Sequence, residues 1–442
     1  MSADLIAILM FVILLFAVFL GHPLATTLGG LGLLFGYIGY GGDISGVNYI
    51  IASKTYGLME NYVLVAIPLF ILMAQFLDKS GVADELFEAM YIVFGPVRGG
   101  LALATTVVAT LFAATTGIVG ASVVSIGLLA APSMIKKGYD KRLVAGTVIA
   151  GGTLGILIPP SIMLVVMGGL VGISVGKLFL AAFLPGFLLS FLYLIYIFVY
   201  AFIKPEVGPP LPKEERTHTL KQKITLTLKS MLPTLFLIFA VLGTIAFGIA
   251  TPTEAAGLGC LGAMILAIAN KRFNVKLLID AGVATLKITC MVMFIFIGAN
   301  LYTSVFMGLG GGETFTKLLF MISENKWVIL GIMMLILIIL GMFVDWLGIL
   351  LLTIPIFLPI IEKLGFDPLW FTMLVAVNLQ ISFLTPPFGY SLFYYRGIAP
   401  AGTDLKDIYK AIIPFVILQI IGLILCIIFP SIITFLPNAI MK

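Results

Sequence analysis

Residues 382–389 read SFLTPPFG and lie inside an apolar run, 368–395, that has no Asp, Glu, Lys or Arg. Two consecutive prolines remove two backbone donors and clash with the preceding helical turn, so this segment should interrupt a helix. A second pair, Pro159-Pro160, lies 227 positions earlier in the sequence GILIPPS at 155–161. Broken helices at matching positions of two halves are the usual pointer to a transport site in a membrane protein, although two ordinary kinked helices would also contain prolines.

The same offset of 227 residues relates other positions and indicates an internal repeat. It pairs Pro132 with Pro359, and Gly138 with Gly365. One extended polar stretch separates the two halves, with four prolines and six basic residues against three acidic ones, and it reads as a solvated linker. The predicted division is a first repeat at 1–203, a linker at 204–230 and a second repeat at 231–442.

The composition places the chain in a membrane. Hydrophobic residues make up 61% of the 442 residues and charged residues only 10%. Soluble globular proteins are about 45–50% apolar and about 25% charged, so soluble enzyme folds are excluded. The expected class is an all-α polytopic membrane protein, because a β-barrel would show alternating segments of about 10 residues. No nucleic-acid partner is expected.

The charges are absent from long stretches. Twelve runs of 16 or more residues contain no Asp, Glu, Lys or Arg: 5–42, 61–77, 99–135, 143–176, 178–203, 230–253, 255–270, 288–312, 327–344, 346–361, 368–395 and 411–441. A crossing helix needs about 20 apolar residues, so we expect about ten to twelve spanning helices plus some shorter elements.

Two of these runs are too long for one helix. The run 5–42 contains Gly21-His22-Pro23 and predicts two helices. The run 99–135 groups small and hydroxyl residues at its middle, in Thr115-Thr116-Gly117 and Gly120-Ala121-Ser122. This grouping predicts a break or a hairpin inside the membrane.

Asp345 is the only charged residue between Lys326 and Glu362. A carboxylate within a membrane span is costly and is a functional candidate by default. It could bind Na⁺, relay a proton or pair with a hydroxyl; the alternative is a hairpin tip wetted by water beside a cavity. Glu254 has a simpler interpretation, because Thr251-Pro252-Thr253-Glu254 resembles the capped start of a helix.

The signs of the loop charges predict the orientation of the two halves in the membrane. The segment 136–142 has net charge +3, whereas its counterpart 362–367 has net charge −1. Since cytoplasmic loops carry the Lys and Arg excess, the first should face the cytoplasm and the second the opposite side. The two repeats would then have inverted topology, with 204–230 cytoplasmic and both termini periplasmic.

The broken segments offer oxygen ligands. Backbone at membrane depth must line a cavity or be buried in protein, and unwound carbonyls with Ser and Thr hydroxyls suit Na⁺. Half-helix N-termini provide partial positive charge for an anionic substrate. Polar residues also precede the second proline pair, namely Asn378, Gln380, Ser382 and Thr385.

The chain resembles the large membrane subunit of tripartite ATP-independent periplasmic (TRAP) transporters. The similarity covers about 5–435 and is carried by Ile158-Pro159-Pro160-Ser161, Thr251-Pro252-Thr253-Glu254-Ala255-Ala256, Gly341-Met342-Phe343-Val344-Asp345, Phe383-Leu384-Thr385-Pro386-Pro387-Phe388-Gly389 and Arg396-Gly397-Ile398-Ala399-Pro400. It implies an elevator-type Na⁺/organic-anion symporter with two re-entrant hairpins and two unwound helices. It also implies two partners: a small membrane subunit of four helices, and an extracytoplasmic substrate-binding protein that delivers the small organic anion. The location would be the inner membrane of a bacterium or archaeon, within the lipid bilayer.

The resemblance also implies a set of site residues. For the substrate they are Thr115, Thr116, Gly117, Ser122, Pro159, Pro160, Ser161, Thr385, Pro386, Pro387 and Gly389. For Na⁺ they are Gly120, Gly155, Asp345, Gly348, Asn378, Ser382 and Thr385.

Other functions remain as alternatives. The nearest is a carrier for dicarboxylates or citrate that works alone, coupled to Na⁺ or H⁺. A membrane enzyme would need a constellation such as His-Glu-x-x-His, and the chain has only two separate histidines. An ATP-driven pump is not expected either, because the phosphate-binding sequence Gly-x-x-x-x-Gly-Lys-[Ser/Thr] does not occur.

Overall fold

The computed structural model describes residues 3–387, 389–400 and 402–441, without the side chains of 3 and 114–116. Regular structure in these residues is helical throughout. The helices up to residue 203 are α1 Ala3–Phe19, α2 Leu24–Gly39, α3 Ile44–Met59, α4 Ala66–Lys79, α5 Val82–Phe94, α6 Gly100–Thr116, α7 Val119–Lys136, α8 Lys141–Thr153, α9 Ile162–Val171 and α10 Val175–Ile203. The remaining helices are α11 Leu220–Ala246, α12 Pro252–Ala269, α13 Val275–Gly308, α14 Gly311–Ile322, α15 Lys326–Gly341, α16 Trp346–Lys363, α17 Pro368–Leu384, α18 Tyr390–Ile398, α19 Leu405–Ile428 and α20 Ser431–Ile440.

Eight helical stretches in the described residues are long and apolar enough to cross a membrane. This is fewer than the ten to twelve expected from the charge-free runs, because several runs fold as shorter pieces. The run 5–42 divides into α1 and α2, and the run 143–176 contains α8 and α9. Shorter apolar helices of 10–17 residues make up the difference.

Both predicted hairpins are present as pairs of helices with tight connections. In the first hairpin, α6 and α7 are joined by Gly117 and Ile118. Gly117 has φ +60°, the left-handed conformation that glycine adopts without a steric cost. In the second hairpin, α15 and α16 are joined by residues 342–345, and Asp345 forms the N-cap of α16.

Both proline pairs interrupt helices, as predicted. After α8 the chain makes a 3₁₀ turn, Leu154–Ile156, and the helix resumes only at α9. After α17 it resumes at α18. The Pro159–Pro160 and Pro386–Pro387 peptide bonds are both cis. The first break is wholly enclosed, since every residue from 143 to 168 is buried, so protein rather than lipid surrounds the irregular backbone.

Each half packs its hairpin against the broken helix of the other half. The second arm of the first hairpin, α7, packs on α18 after the second break, and the second arm of the other hairpin, α16, packs on α9 after the first break. Close approach of α7 and α18 depends on glycine: a Cβ at Gly127 would lie 2.3 Å from Ile398 Cδ1. Each hairpin is therefore supported by the half-helix of the other half.

The polar stretch 204–230 is more ordered than a solvated linker. The backbone N–H groups of Gly99 and Asp140 donate to the carbonyl oxygens of Gly208 and Val207, at 2.8 and 3.0 Å. Val207 and Leu211 are buried, and α11 begins at Leu220. Residues 207–211 therefore dock on the loops next to α6 and α8, whereas most of 212–229 is exposed.

Candidate functional site

A cavity of about 470 Å³ lies where the tips of the two hairpins meet α18. This size is within the range of about 300–1,000 Å³ that is usual for small-molecule sites. Its wall comes from five parts of the chain: Pro23, Leu24, Ala25 and Thr26 of the α2 start; Ile118, Val119 and Gly120 of the first tip; Met291, Phe294 and Ile295 of α13; Asp345 and Trp346 of the second tip; and Phe383, Tyr390 and Tyr394 beside the second break.

Asp345 is the one charged residue that lines this cavity among the described side chains. Its carboxylate accepts a hydrogen bond from the backbone N–H of Leu347 at 3.4 Å, which caps α16. Asp345 thus lies at a hairpin tip and also borders a cavity. A carboxylate held by its own helix start keeps a fixed direction and can present oxygen to a cation.

Gly120 borders the same cavity and makes room for an aromatic ring. A Cβ at this position would lie 2.7 Å from Tyr394 Cζ, which is closer than carbon atoms can approach. The first tip thus packs directly against α18. At the neighbouring Gly117, a Cβ would lie 3.3 Å from Ile162 Cγ1, so this tip also contacts the start of α9.

Asn378 and Ser382 lie beside the cavity wall, in the contact between α15 and α17. Asn378 Nδ2 donates to Met334 O at 2.9 Å, and Ser382 Oγ donates to Leu337 O at 3.3 Å. These bonds attach the first arm of the second hairpin to the broken helix. The Asn378 Oδ1 atom is buried without a partner in the described part of the chain, so it retains an oxygen that a cation could use.

The hydroxyls around the breaks bond to their own backbone. Ser161 Oγ donates to Ile156 O, and Thr385 Oγ1 donates to Ile381 O at 2.6 Å. Ser122 Oγ donates to Ile118 O at 3.1 Å. These side chains therefore bond to the backbone of the helix ends near the two breaks and the first tip, and donating these bonds does not use the lone pairs of their oxygens.

The other predicted site residues are not among those that line the cavity. Gly155, Pro159 and Pro160 are buried in the first break, and Pro386, Pro387 and Gly389 form the second. A Cβ at Gly348 would lie 2.2 Å from Leu24 Cδ2, so this glycine allows α2 and α16 to touch. The side chains of Thr115 and Thr116 lie outside the described residues. Of the predicted set, Gly120 and Asp345 are the two that line the cavity.

Sequence reasoning missed the aromatic part of the site. Tyr390 and Tyr394 both line the cavity, together with Asp345. Their spacing of four residues, directly after the second break, was the available signal, because residues four apart share one helix face. Glu254, in contrast, has the structural role predicted for it: it forms a capping box with Thr251 at the start of α12.

Comparisons with known proteins agree with this architecture. The family model described as tripartite ATP-independent periplasmic transporter, DctM component, matches residues 9–432. The C4-dicarboxylate TRAP transporter large permease protein DctM of Pseudomonas aeruginosa is 32% identical over 393 residues, which are 88% of this chain and 89% of that protein. The isethionate TRAP transporter permease protein DctMQ of Oleidesulfovibrio alaskensis is 31% identical over 391 residues, which are 87% of this chain but 60% of that longer protein.

A solved structure shares the fold at low sequence identity. The YdaH transporter of Alcanivorax borkumensis is 15% identical, with a TM-score of 0.63 and 98% of both chains covered. The family match extends over nearly the whole chain, including both hairpins and both broken helices. The chain therefore belongs to the DctM family, the large multi-pass membrane subunits of tripartite ATP-independent periplasmic transporters.

Proposed function

We propose that this subunit imports an organic anion of the carboxylate type together with Na⁺, and that a periplasmic substrate-binding protein delivers the anion. The observation that carries the proposal is the position of Asp345, which lies at a hairpin tip on the wall of the cavity between the two hairpins. A single carboxylate among apolar walls needs a cation to offset the cost of burial, and Na⁺ would supply it.

The transport movement we propose is of the elevator type, with two repeats of inverted topology. The two hairpins and the two broken helices would move as one body that carries the cavity across the membrane. The crossed packing of α7 on α18 and of α16 on α9 supports this, because it joins the hairpins and half-helices of both halves into one unit. The loop charges support inversion, with both termini on the periplasmic side.

A separate small membrane subunit of four helices would complete the transporter. The longer relative named DctMQ supports this partner, since the region similar to this chain makes up 60% of it. The names of the relatives, a C4-dicarboxylate permease and an isethionate permease, support an organic anion as the solute.

The experiment is Na⁺-driven uptake in proteoliposomes that contain this chain, the small subunit and the loaded binding protein. Asp345→Asn should reduce uptake at least about tenfold, because the ion loses its charged ligand, while folding is retained because Asn caps helices as well as Asp does. The matched control is Asp367→Asn, which alters another N-cap, at the exposed start of α17. Normal Na⁺-dependent uptake by the Asp345→Asn variant would contradict the ion site, and uptake without the binding protein would favour the carrier that works alone.

A further inference from the structure

We infer that the cavity accepts a monocarboxylate with an apolar body, and that the phenols of Tyr390 and Tyr394 bind its carboxylate. This inference rests on the proposed function and narrows the class of solute. It follows from three features of the cavity wall: its charge, its hydrogen-bond donors and its aromatic surface.

The charge of the wall limits the charge of the solute. Asp345 is the one charged residue that lines the cavity among the described side chains, and it is negative. The side chains at 114–116 and 388, which the structure does not describe, are Ala, Thr, Thr and Phe and carry no charge. A dicarboxylate would bring two further negative charges next to Asp345, and a buried charge is costly unless it is paired. A solute with one carboxylate therefore leaves less unpaired negative charge beside Asp345 than a dicarboxylate does.

The phenols add two hydroxyl donors to a wall whose other side-chain donors are the Thr26 hydroxyl and the Trp346 indole N–H. Tyr390 and Tyr394 lie one helical turn apart on α18, and both line the same cavity. Tyr394 is 44% exposed and its ring is fixed in position by contact with Gly120. Two neutral O–H donors suit the two oxygens of one carboxylate, and hydrogen bonds to an ionised acceptor are stronger than neutral ones. Asp345 lines the same cavity as both phenols, so a carboxylate bound by the phenols would share that volume with an ion bound at Asp345.

The rest of the wall is apolar and largely aromatic. Phe294, Trp346 and Phe383 face the cavity together with aliphatic side chains of α2 and the first tip. Such a surface stabilises a solute by burying its hydrocarbon part, and it carries no positive charge to pair with a second carboxylate. An aryl or branched aliphatic monocarboxylate has a single negative charge, one carboxylate for the phenols and an apolar body for the wall. Succinate has a carboxylate for the phenols, but it carries a second negative charge and little apolar surface.

The test measures binding to the purified membrane complex, composed of this chain and its small subunit, without the substrate-binding protein. Titration calorimetry in NaCl would compare phenylpyruvate and benzoate with succinate. We expect at least one of the two aryl acids to bind at least tenfold more tightly than succinate, and replacement of Na⁺ by K⁺ to weaken that binding.

Variants of α18 identify the donors. Tyr390→Phe and Tyr394→Phe should each weaken binding of the aryl acid about tenfold while they preserve the Na⁺ dependence. Tyr395→Phe is the matched control, because Tyr395 lies on the same helix but is buried and outside the cavity wall, and it should leave the affinity unchanged.

Three results would overturn the inference: succinate binds as tightly as the aryl acids, neither class binds to the folded complex at millimolar concentration, or both Tyr→Phe variants bind normally. None of these results contradicts the proposed function, which is measured separately by Na⁺-driven uptake. Conversely, tight binding of an aryl acid without any effect of Na⁺ would support the solute class and contradict the coupling.

Discussion

Thr303 on α13 donates a hydrogen bond of 3.2 Å to the backbone carbonyl oxygen of Leu351 on α16. That carbonyl has no partner in its own helix, because the residue four positions later is Pro355, which has no N–H. The first half contains a related bond: Ser125 on α7 donates to Asp78 on α4 at 2.5 Å. With the offset of 227 residues, the two bonds coincide to within two residues at each end. The second arm of the first hairpin, α7, is thus attached to α4, and the second arm of the other hairpin, α16, is attached to α13. In each half the attached helix lies two helices before the hairpin.

Removal of the first of these bonds should destabilise the protein. Thr303→Val keeps the shape of the side chain and deletes the donor, which leaves the Leu351 carbonyl unpaired. The expected loss in the free energy of unfolding is about 1–2 kcal/mol, measured by denaturant titration of the purified protein. Thr303→Ser retains the hydroxyl and should lose less than half of this. Equal losses for Val and Ser would mean that packing, rather than the hydrogen bond, holds α16 in place.

The Ser125–Asp78 pair should contribute more, because its acceptor is a carboxylate in a half-buried position. Ser125→Ala should cost about 1.5–3 kcal/mol, the range for hydrogen bonds to charged groups. A double-mutant cycle with Asp78→Ala, which removes the acceptor, separates the pair from its surroundings. Additive effects of the two substitutions would exclude a direct interaction in solution.

Gly341 determines how closely α15 approaches α17. A Cβ at this position would lie 2.1 Å from Ser382 Cβ, so Gly341→Ala must separate the two helices and disturb the bonds made by Asn378 and Ser382. We expect a loss of about 1–3 kcal/mol in stability, together with reduced uptake.

Gly331→Ala is the control for this substitution. Gly331 lies on the same helix, and a Cβ there would meet nothing within 4 Å. This variant should be neutral or slightly stabilised, because alanine lowers the entropy of the unfolded chain. A similar loss in both variants would show that glycine is needed in α15 for flexibility rather than for contact.

The linker makes a pH-dependent contact with the first hairpin. Lys137 Nζ lies 2.5 and 2.6 Å from the carboxylate oxygens of Glu215, and this hydrogen bond lowers the pKa of Glu215 from its ordinary 4.5. A carboxyl whose pKa is lower in the folded state contributes stability above its unfolded pKa and loses it as the pH falls through the folded value. Melting temperatures of the wild type and Lys137→Met should therefore differ at neutral pH and converge below pH 4.5. A difference that persists in acid would argue against this ion pair.

Several features could be predicted because they are local. The proline pairs at 159–160 and 386–387 break their helices wherever those helices pack, since the missing donors and the ring clash belong to the residues themselves. The hairpin connection at Gly117 is also local, because its positive φ suits glycine. The apolar runs likewise predicted the helical, membrane-spanning class, although a charge-free run does not show where each helix ends.

What the sequence by itself determined is the set of helices, their breaks and the unusual position of Asp345, because composition, proline and isolated charge act within a few residues. Which side chains line the cavity was decided only by the tertiary structure. Tyr390 and Tyr394 reach it because α18 crosses to the opposite half and packs on α7, and that crossing depends on a missing Cβ at Gly120, 270 residues earlier in the chain. The donor groups of Asn378 and Ser382 bond to carbonyls of α15, a contact that their residue types alone do not predict. Contacts between residues so distant in sequence are set by the packing of whole helices, and local pattern carries no information about them.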